Sequence, residues 1–300
     1  MIIPELNECS LCPRKCRVNR NITKGYCGVG NDVVLAKASL HKWEEPCISW
    51  KNGAGTIFFS GCSLHCCYCQ NNHISNEVFG KTVSIEHLSQ IFLSLQEIGA
   101  DNIELVTPTH YVPQIIRALD SVKHKLFIPI IYNSGGYEFD ETIDMLNGYI
   151  DIYMPDIKYF SSEVSKKYSN AVDYFERSSS SILKMIKQVG KLEYNSQGGL
   201  LKGTVIRHLV LPFQRHDSMR ILDWIHENTT NEYAILSLMS QYTPFDFISD
   251  KYPELKRHIT KMEYHSVEAY AAKLGINGYC QQMSSASEQY LPEFDLSGLE

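Results

Sequence analysis

No apolar run in the 300-residue chain approaches the roughly 18 residues that would cross a bilayer, so a membrane-spanning reading is excluded at the outset. The start, MIIPELNECS, lacks the positive segment and apolar stretch of a secretory signal, and the expected location is cytoplasmic. Positive charge is also scarce. With 28 Lys and Arg against 34 Asp and Glu the formal net charge is -6, which gives no pull toward a polyanion and makes a nucleic-acid substrate unexpected. The 44% hydrophobic and 21% charged content is that of an ordinary globular chain rather than a disordered one.

Cysteine is not scarce. The chain has ten, and GCSLHCCYCQNN (Gly61 to Asn72) holds four of them. In a reducing compartment, clustered thiols are metal ligands or redox groups rather than structural disulfides.

From residue 55 onward, short apolar runs alternate with segments of helical period, the pattern of βα units on a parallel sheet. Strands are expected at Thr56 to Phe59, Ile103 to Val106, Leu126 to Tyr132, Tyr149 to Met154, Thr204 to Leu211 and Tyr233 to Met239. The intervening SIEHLSQIFLSLQEIG, VPQIIRALDSV, EFDETIDMLNG, DYFERSSSSILKMIKQVG and DSMRILDWIHEN read as helices. Six units in about 185 residues fall short of the eight of a closed barrel. The expectation is therefore an α/β fold: an open (β/α)6 partial TIM barrel over 55–250, a Cys-rich N-terminal extension over 1–54, and a C-terminal helix and tail over 251–300 packed on the barrel, with SSASEQ as loop.

In such a fold the C-terminal strand ends build the active site. All six are polar here, running into the cysteine cluster, TPTH, NSGG, Asp156 with Lys158, Arg207 with His208, and SQY. Cys62, Cys66 and Cys69 have C-x3-C-x2-C spacing after Gly61, whose freedom lets the chain turn sharply off its strand. Three thiolates suit a 4Fe-4S cube with one iron left open. A zinc ribbon would need a second cysteine pair nearby, and none is close. Cys67, adjacent to a ligand, is expected to point away and pack. Asp156 and Lys158, two apart in a strand, share a face, as cofactor ligands or as a plain ion pair. Arg207 presents a fork suited to a carboxylate, and His208 must face the other way as a structural histidine. His110 either meets substrate or caps the following helix. Cys9, Cys12, Cys16 and Cys27 can close a second metal site, zinc or iron-sulfur, while Cys47 and Cys280 are isolated and expected to pack.

The triplet, with Tyr68 at the aromatic position before the last cysteine, resembles the radical S-adenosylmethionine (SAM) superfamily. HKWEEPCIS, GTIFFSGCSLHCCYCQN, VTPTHYVPQI, YNSGGYE, MPDIKY, IRHLVLP and LMSQYTP are similar, over nearly the whole chain, to pyruvate formate-lyase activating enzyme-like proteins, relatives of the glycyl-radical activases. The resemblance implies an oxidoreductase in which the open iron binds the amino and carboxylate groups of SAM, and Tyr68 lies near the adenine. It places Lys158 and Arg207 by the methionyl carboxylate, and Asp156 in a monovalent-cation site with Asn133, Ser134 and Met154. Gln241 and Tyr242 are expected to line the adenine pocket, with core packing the alternative for the tyrosine. Where the family has Gly-Gly-Glu to receive the amino group, this chain has TPTH, so Thr107 and Thr109 are the candidate acceptors. The implied chemistry is reductive cleavage of SAM to methionine and a 5'-deoxyadenosyl radical that abstracts hydrogen. The substrate would be a glycine in a partner protein, a peptide or a small molecule, and the electron donor a flavodoxin or ferredoxin. The rival is a non-catalytic iron-sulfur or zinc module, which would not need polar strand ends.

Overall fold

The computed structural model describes residues 2–283 and 293–300; the SSASEQ segment lies outside them. A strand β1 (Val33–His41) runs antiparallel to β2 (Ala54–Phe59), and after a short helix α1 (Asn72–Ser75) a strand β3 (Lys81–Val83) pairs with β1's far side. Then follow α2 (Ile85–Glu97), β4 (Ile103–Val106), α3 (Val112–Val122), β5 (Ile130–Ser134), α4 (Asp140–Met145) and β6 (Ile152–Pro155). Two helices, α5 (Ser162–Ser169) and α6 (Tyr174–Val189), lead to β7 (Glu193–Tyr194) and β8 (Leu200–Leu209). The chain closes with α7 (Arg215–Asn228), β9 (Ala234–Met239), α8 (Lys261–Lys273) and β10 (Gly278–Cys280).

The sheet order is β10-β9-β8-β6-β5-β4-β2-β1-β3, parallel from β2 through β10 and not closed into a barrel. The open (β/α)6 expectation matches this, with the six expected strands appearing as β2, β4, β5, β6, β8 and β9. Strand β5 begins at Ile130 rather than Leu126, because a 3-10 turn occupies Lys123–Lys125 and Pro129 offers only its carbonyl, to Ile103 N. Strand β6 begins at Ile152 rather than Tyr149 and ends at Pro155, which pairs with Ser134. The Cys-rich extension, in which no strand was expected, contains β1. A register shift between Leu35 and Lys37 breaks its alternation, so the period of two is lost from the sequence while pairing with β2 continues.

Outward-facing Leu105 and Tyr132 pack beneath the apolar stripes of α2 and α3, whose Leu88, Phe92, Ile115 and Leu119 are fully buried. The inward side chains stack in layers. Ala54, Ile131, Ile152, Met154, Val205 and Ile235 make an apolar floor. Two residues further along their strands, Thr56, Asn133, Asp156, Arg207 and Ser237 make a polar layer, with Glu104 beside Thr56.

The turn after β5 brings backbone against backbone. Gly136 has φ +75°, and a Cβ there would lie 2.0 Å from the Asp156 carbonyl oxygen. Left-handed strain and overpacking together make Gly136→Ala cost about 3 kcal/mol. A urea titration should show a lower midpoint with an unchanged slope.

Candidate active site

The strand ends face a cavity of ≈ 680 Å³ whose wall includes Cys62, Cys66, Cys69, Asp156, Lys158 and Arg207. Gly61 (φ +88°) turns the chain off β2, and a Cβ there would meet the Cys27 carbonyl at 2.6 Å. His65 is also left-handed (φ 50°), and Cys69 N donates to Cys66 O at 3.1 Å, so the three thiols sit on one tight loop. Two of the sulfurs accept hydrogen bonds, Cys62 Sγ from Leu64 N (3.3 Å) and Cys66 Sγ from the Ser169 hydroxyl (3.0 Å).

Burial pushes the Cys62 thiol up to about 12, and Cys66 and Cys69 add to the shift. Iron binds thiolate rather than thiol, so cluster binding releases protons, and the donors to sulfur favour the thiolate that results. Among the described residues no three His, Cys, Asp or Glu side chains are grouped to hold a metal ion. Three thiolates on one loop suit a four-iron cube, which takes one thiolate per iron and leaves the fourth iron open.

Beside the triplet, Asp156 binds two cations: Oδ2 lies 2.5 Å from Lys158 Nζ and Oδ1 3.2 Å from Arg207 Nε. Arg207 also donates to Asn133 Oδ1 (2.8 Å) and reaches Glu44 Oε2 (3.4 Å), and Asn133 Nδ2 donates to Glu104 Oε1 (2.6 Å). Burial raises the Asp156 carboxyl, but Lys158 and Arg207 outweigh it and hold it below the usual range. Burial lowers the Lys158 ammonium, and Asp156, followed by the Cys66 thiol, more than restores it. Two buried cations converging on one carboxylate are a ready seat for a second, the one carried by a ligand.

Asn133, Ser134, Tyr68, Thr107, Gln241 and Tyr242 also line the cavity. The Tyr68 hydroxyl bonds that of Tyr159 (2.7 Å), which bonds Ser169 Oγ (2.7 Å), continuing to Cys66 Sγ. Tyr242 donates to Leu255 O at 2.6 Å, and Gln281 donates to Gln241. Thr107 takes φ 59°, a left-handed backbone suited to glycine, at the position where the family pattern has Gly-Gly-Glu.

Some expectations need correction. Thr109 does not reach the cavity; its hydroxyl, 3% exposed with the residue, donates to buried Glu138 at 2.6 Å. Met154, paired in register with Asn133, is fully buried in the apolar cluster with Ile131 and Ile152 and does not line the cavity. Cys280, expected to pack, is exposed at the cavity edge, while Cys47 is buried. His110 neither meets substrate nor caps. It is buried behind Gly61 with Nε2 2.9 Å from Ser60 O, and burial pushes it down to about 3. His208 is a neutral structural histidine between Ile157 O and Ser218 Oγ. Cys67 stays off the cavity wall, its N–H bonded to Tyr168 O.

Glu44 and Glu45 were assigned no role from sequence, yet both line the cavity. Burial, then Glu104 and Glu45, push the Glu44 carboxyl well above its ordinary value. Two adjacent carboxylates between Trp43 and Pro46 were the available signal. Of the extension cysteines, Cys16 and Cys27 place their sulfurs 3.5 and 3.4 Å from the vacant Cβ position of Gly25, and the Cys27 carbonyl accepts from Cys62 N at 3.2 Å.

The Radical SAM superfamily model matches residues 56–225, spanning the strands and thiols just described, and the chain belongs to that superfamily. Membership implies a 4Fe-4S cluster and SAM. An uncharacterized protein of Methanocaldococcus jannaschii, MJ0674, is 27% identical over 285 residues, 90% of this chain and 76% of that one. Two solved structures share the fold. SuiB of Streptococcus suis, bound to its precursor peptide SuiA, has TM-score 0.51 at 14% identity, covering 74% of this chain and 46% of SuiB. A radical SAM methyltransferase from Sphaerobacter thermophilus has TM-score 0.51 at 10% identity, covering 76% and 66%. The chain thus spans about half the length of SuiB.

Removing one member of a charge-assisted seat costs about 1.5–3 kcal/mol. Lys158→Ala should therefore weaken SAM binding by roughly ten- to a hundredfold in equilibrium dialysis while iron and sulfide contents stay unchanged. A second expectation concerns Glu138, which burial raises from 4.5 to about 7 against the opposing bonds from Thr109, Ser134 and Tyr132. As pH rises through 4.5 to 7 the unfolded chain loses this proton first, so stability falls across that window and stays lower above it. Glu138→Gln should raise the urea midpoint at pH 8 and change it little at pH 4.

Proposed function

We propose that the chain is a radical SAM enzyme acting on a protein or peptide segment, with hydrogen abstraction from a glycine of a partner protein, as in glycyl-radical activation, the specific case. The carrying observation is that the three thiols and the Asp156, Lys158 and Arg207 seat open into one cavity. When bound, cluster and cofactor supply one-electron cleavage of a sulfonium C–S bond. The chain's own share is orientation and exclusion of water. Lys158 and Arg207 fix a carboxylate, Tyr68, Gln241 and Tyr242 wall the adenine end, and Asp156 with Asn133 and Ser134 provides oxygens for a monovalent cation.

The open sheet supports the substrate class. Residues from both of its ends, Trp43 and Glu44 after β1 and Tyr279 and Gln281 around β10, line the same cavity, so a chain segment can enter along the seam. The fold shared with SuiB, solved with its precursor peptide, accommodates such a substrate. In this reading a flavodoxin or ferredoxin delivers the electron in the cytoplasm, and the four extension thiols hold a second metal centre, zinc or iron-sulfur.

Anaerobically reconstituted, reduced protein should release methionine and 5'-deoxyadenosine from SAM, quantified by chromatography. Cys66→Ala should abolish release, and Cys67→Ala should retain it. Absence of both products from iron-loaded wild type would leave only the non-catalytic module.

A further inference from the structure

Glu45 is 9% exposed and lines the cavity, yet its Oε2 accepts no hydrogen bond among the described residues. That is an unusual state for a buried carboxyl, because buried charges are ordinarily paired and unpaired polar atoms are costly. Neighbouring Glu44 is little better served. Its Oε2 lies 3.4 Å from Arg207 NH1, on a guanidinium that also gives Nε to Asp156 and NH2 to Asn133. Its Oε1 lies 3.8 Å from His41 Nε2, and burial, followed by Lys37, lowers that imidazole, so it carries little positive charge near pH 7. The two acids therefore share one guanidinium that Asp156 already neutralises.

The loop between β1 and β2 that carries them is tied down. The Glu45 carbonyl accepts from Ile48 N (2.7 Å) and Ser49 N (3.0 Å), which closes a turn directly after the acids. Cys47 O then accepts from Leu200 N (2.8 Å) and Ile48 O from Asn102 Nδ2 (2.8 Å), fixing the turn to the starts of β8 and β4. A backbone so held presents its carboxyls to the cavity before anything binds, which lowers the ordering cost of a ligand. Exposed Trp43 lines the same wall, and an indole face attracts cations. Tyr279 and Gln281, from the opposite end of the sheet, complete this mouth.

We infer that Glu44 and Glu45 form the subsite for a basic side chain of the protein or peptide substrate, an ammonium or guanidinium that enters at the seam between the two ends of the sheet. The inference rests on the proposed function and narrows its substrate class to a segment with a lysine or arginine near the residue that loses hydrogen. Two carboxyls on one loop can accept from one cation together, and each charge-assisted bond is roughly twice as strong as a neutral one. Asp156 and Glu44 meet Arg207 through different nitrogens, Nε and NH1, so the carboxylate seat and the acid pair adjoin without sharing a donor. The basic side chain would thus register the substrate against the seat.

The probes are end-blocked pentapeptides with lysine, arginine or uncharged norleucine between paired glycines. Titrated calorimetrically into reconstituted, unreduced protein saturated with SAM, one or both charged peptides should bind at least roughly tenfold tighter than the norleucine peptide. Equal affinities, or no binding of any of the three, would overturn the inference. In Glu45→Gln the preference should vanish, and Glu45→Asp should restore part of it; a preference that survives Glu45→Gln would place the cation elsewhere. Should Glu45→Gln fail to fold, Glu44→Gln at the less buried acid should weaken binding of the charged peptides and leave that of the norleucine peptide unchanged. SAM carries a cation of its own, so a preference present without SAM and lost on its saturation would assign the acids to the sulfonium and overturn the inference. No preference alongside intact SAM cleavage refutes this subsite alone, whereas a preference in protein that cannot cleave SAM would sink the proposed function and leave the subsite standing.

Discussion

Asp156 carries the site. Two cations, Lys158 from the same strand end and Arg207 from the neighbouring strand, are buried within reach of each other only because its carboxylate stands between them. Like charges so close in a poorly hydrated space would repel strongly, and desolvation alone would discharge the lysine. The network then extends through Asn133 to Glu104, so four adjacent strands, β8, β6, β5 and β4, are tied together across the sheet. The fold supplies the constraint: parallel strands of matched register bring their C-terminal ends to one face, and the polar layer must satisfy itself there.

The arrangement has a chemical consequence. Asp156 occupies both cations as found, so a ligand carboxylate joins an existing charge balance rather than filling a void. Burial raises the nearby Glu44 carboxyl well above its ordinary value and the Glu104 carboxyl to about 7, which lessens the negative charge that Arg207 must face. The triplet loop borders this region, and Lys158 is one of the groups that lower the Cys69 thiol against its burial. Cluster and seat are thus electrostatically one site, assembled from residues nearly a hundred positions apart.

What was legible in the sequence was local. The triplet's spacing fixes three thiols on one loop whatever surrounds them, and α3 (Val112–Val122) falls where its apolar stripe predicted. Asp156, Lys158 and Arg207 were legible because the period of two and the strand ends are short-range facts. Burial was not legible: Met154 lies on the strand face of Asp156 yet is packed in an apolar cluster and does not line the cavity, since sequence gives orientation along a strand but not what packs over it. Thr109 was lost to a turn, in which one left-handed residue, Thr107, redirects everything that follows. The polar helix α5 and the bulged strand β1 lacked the periodicity by which such elements are read.

The central claim is that the Cys62, Cys66 and Cys69 cluster keeps an open iron facing the Lys158 and Arg207 seat. Electron paramagnetic resonance of the reduced protein tests it directly when recorded with and without SAM. The account predicts a 4Fe-4S signal whose g-values shift on adding SAM and whose lines broaden with nitrogen-15 or oxygen-17 label in the methionyl group. A reduced cluster with a spectrum indifferent to SAM and its labels would contradict it.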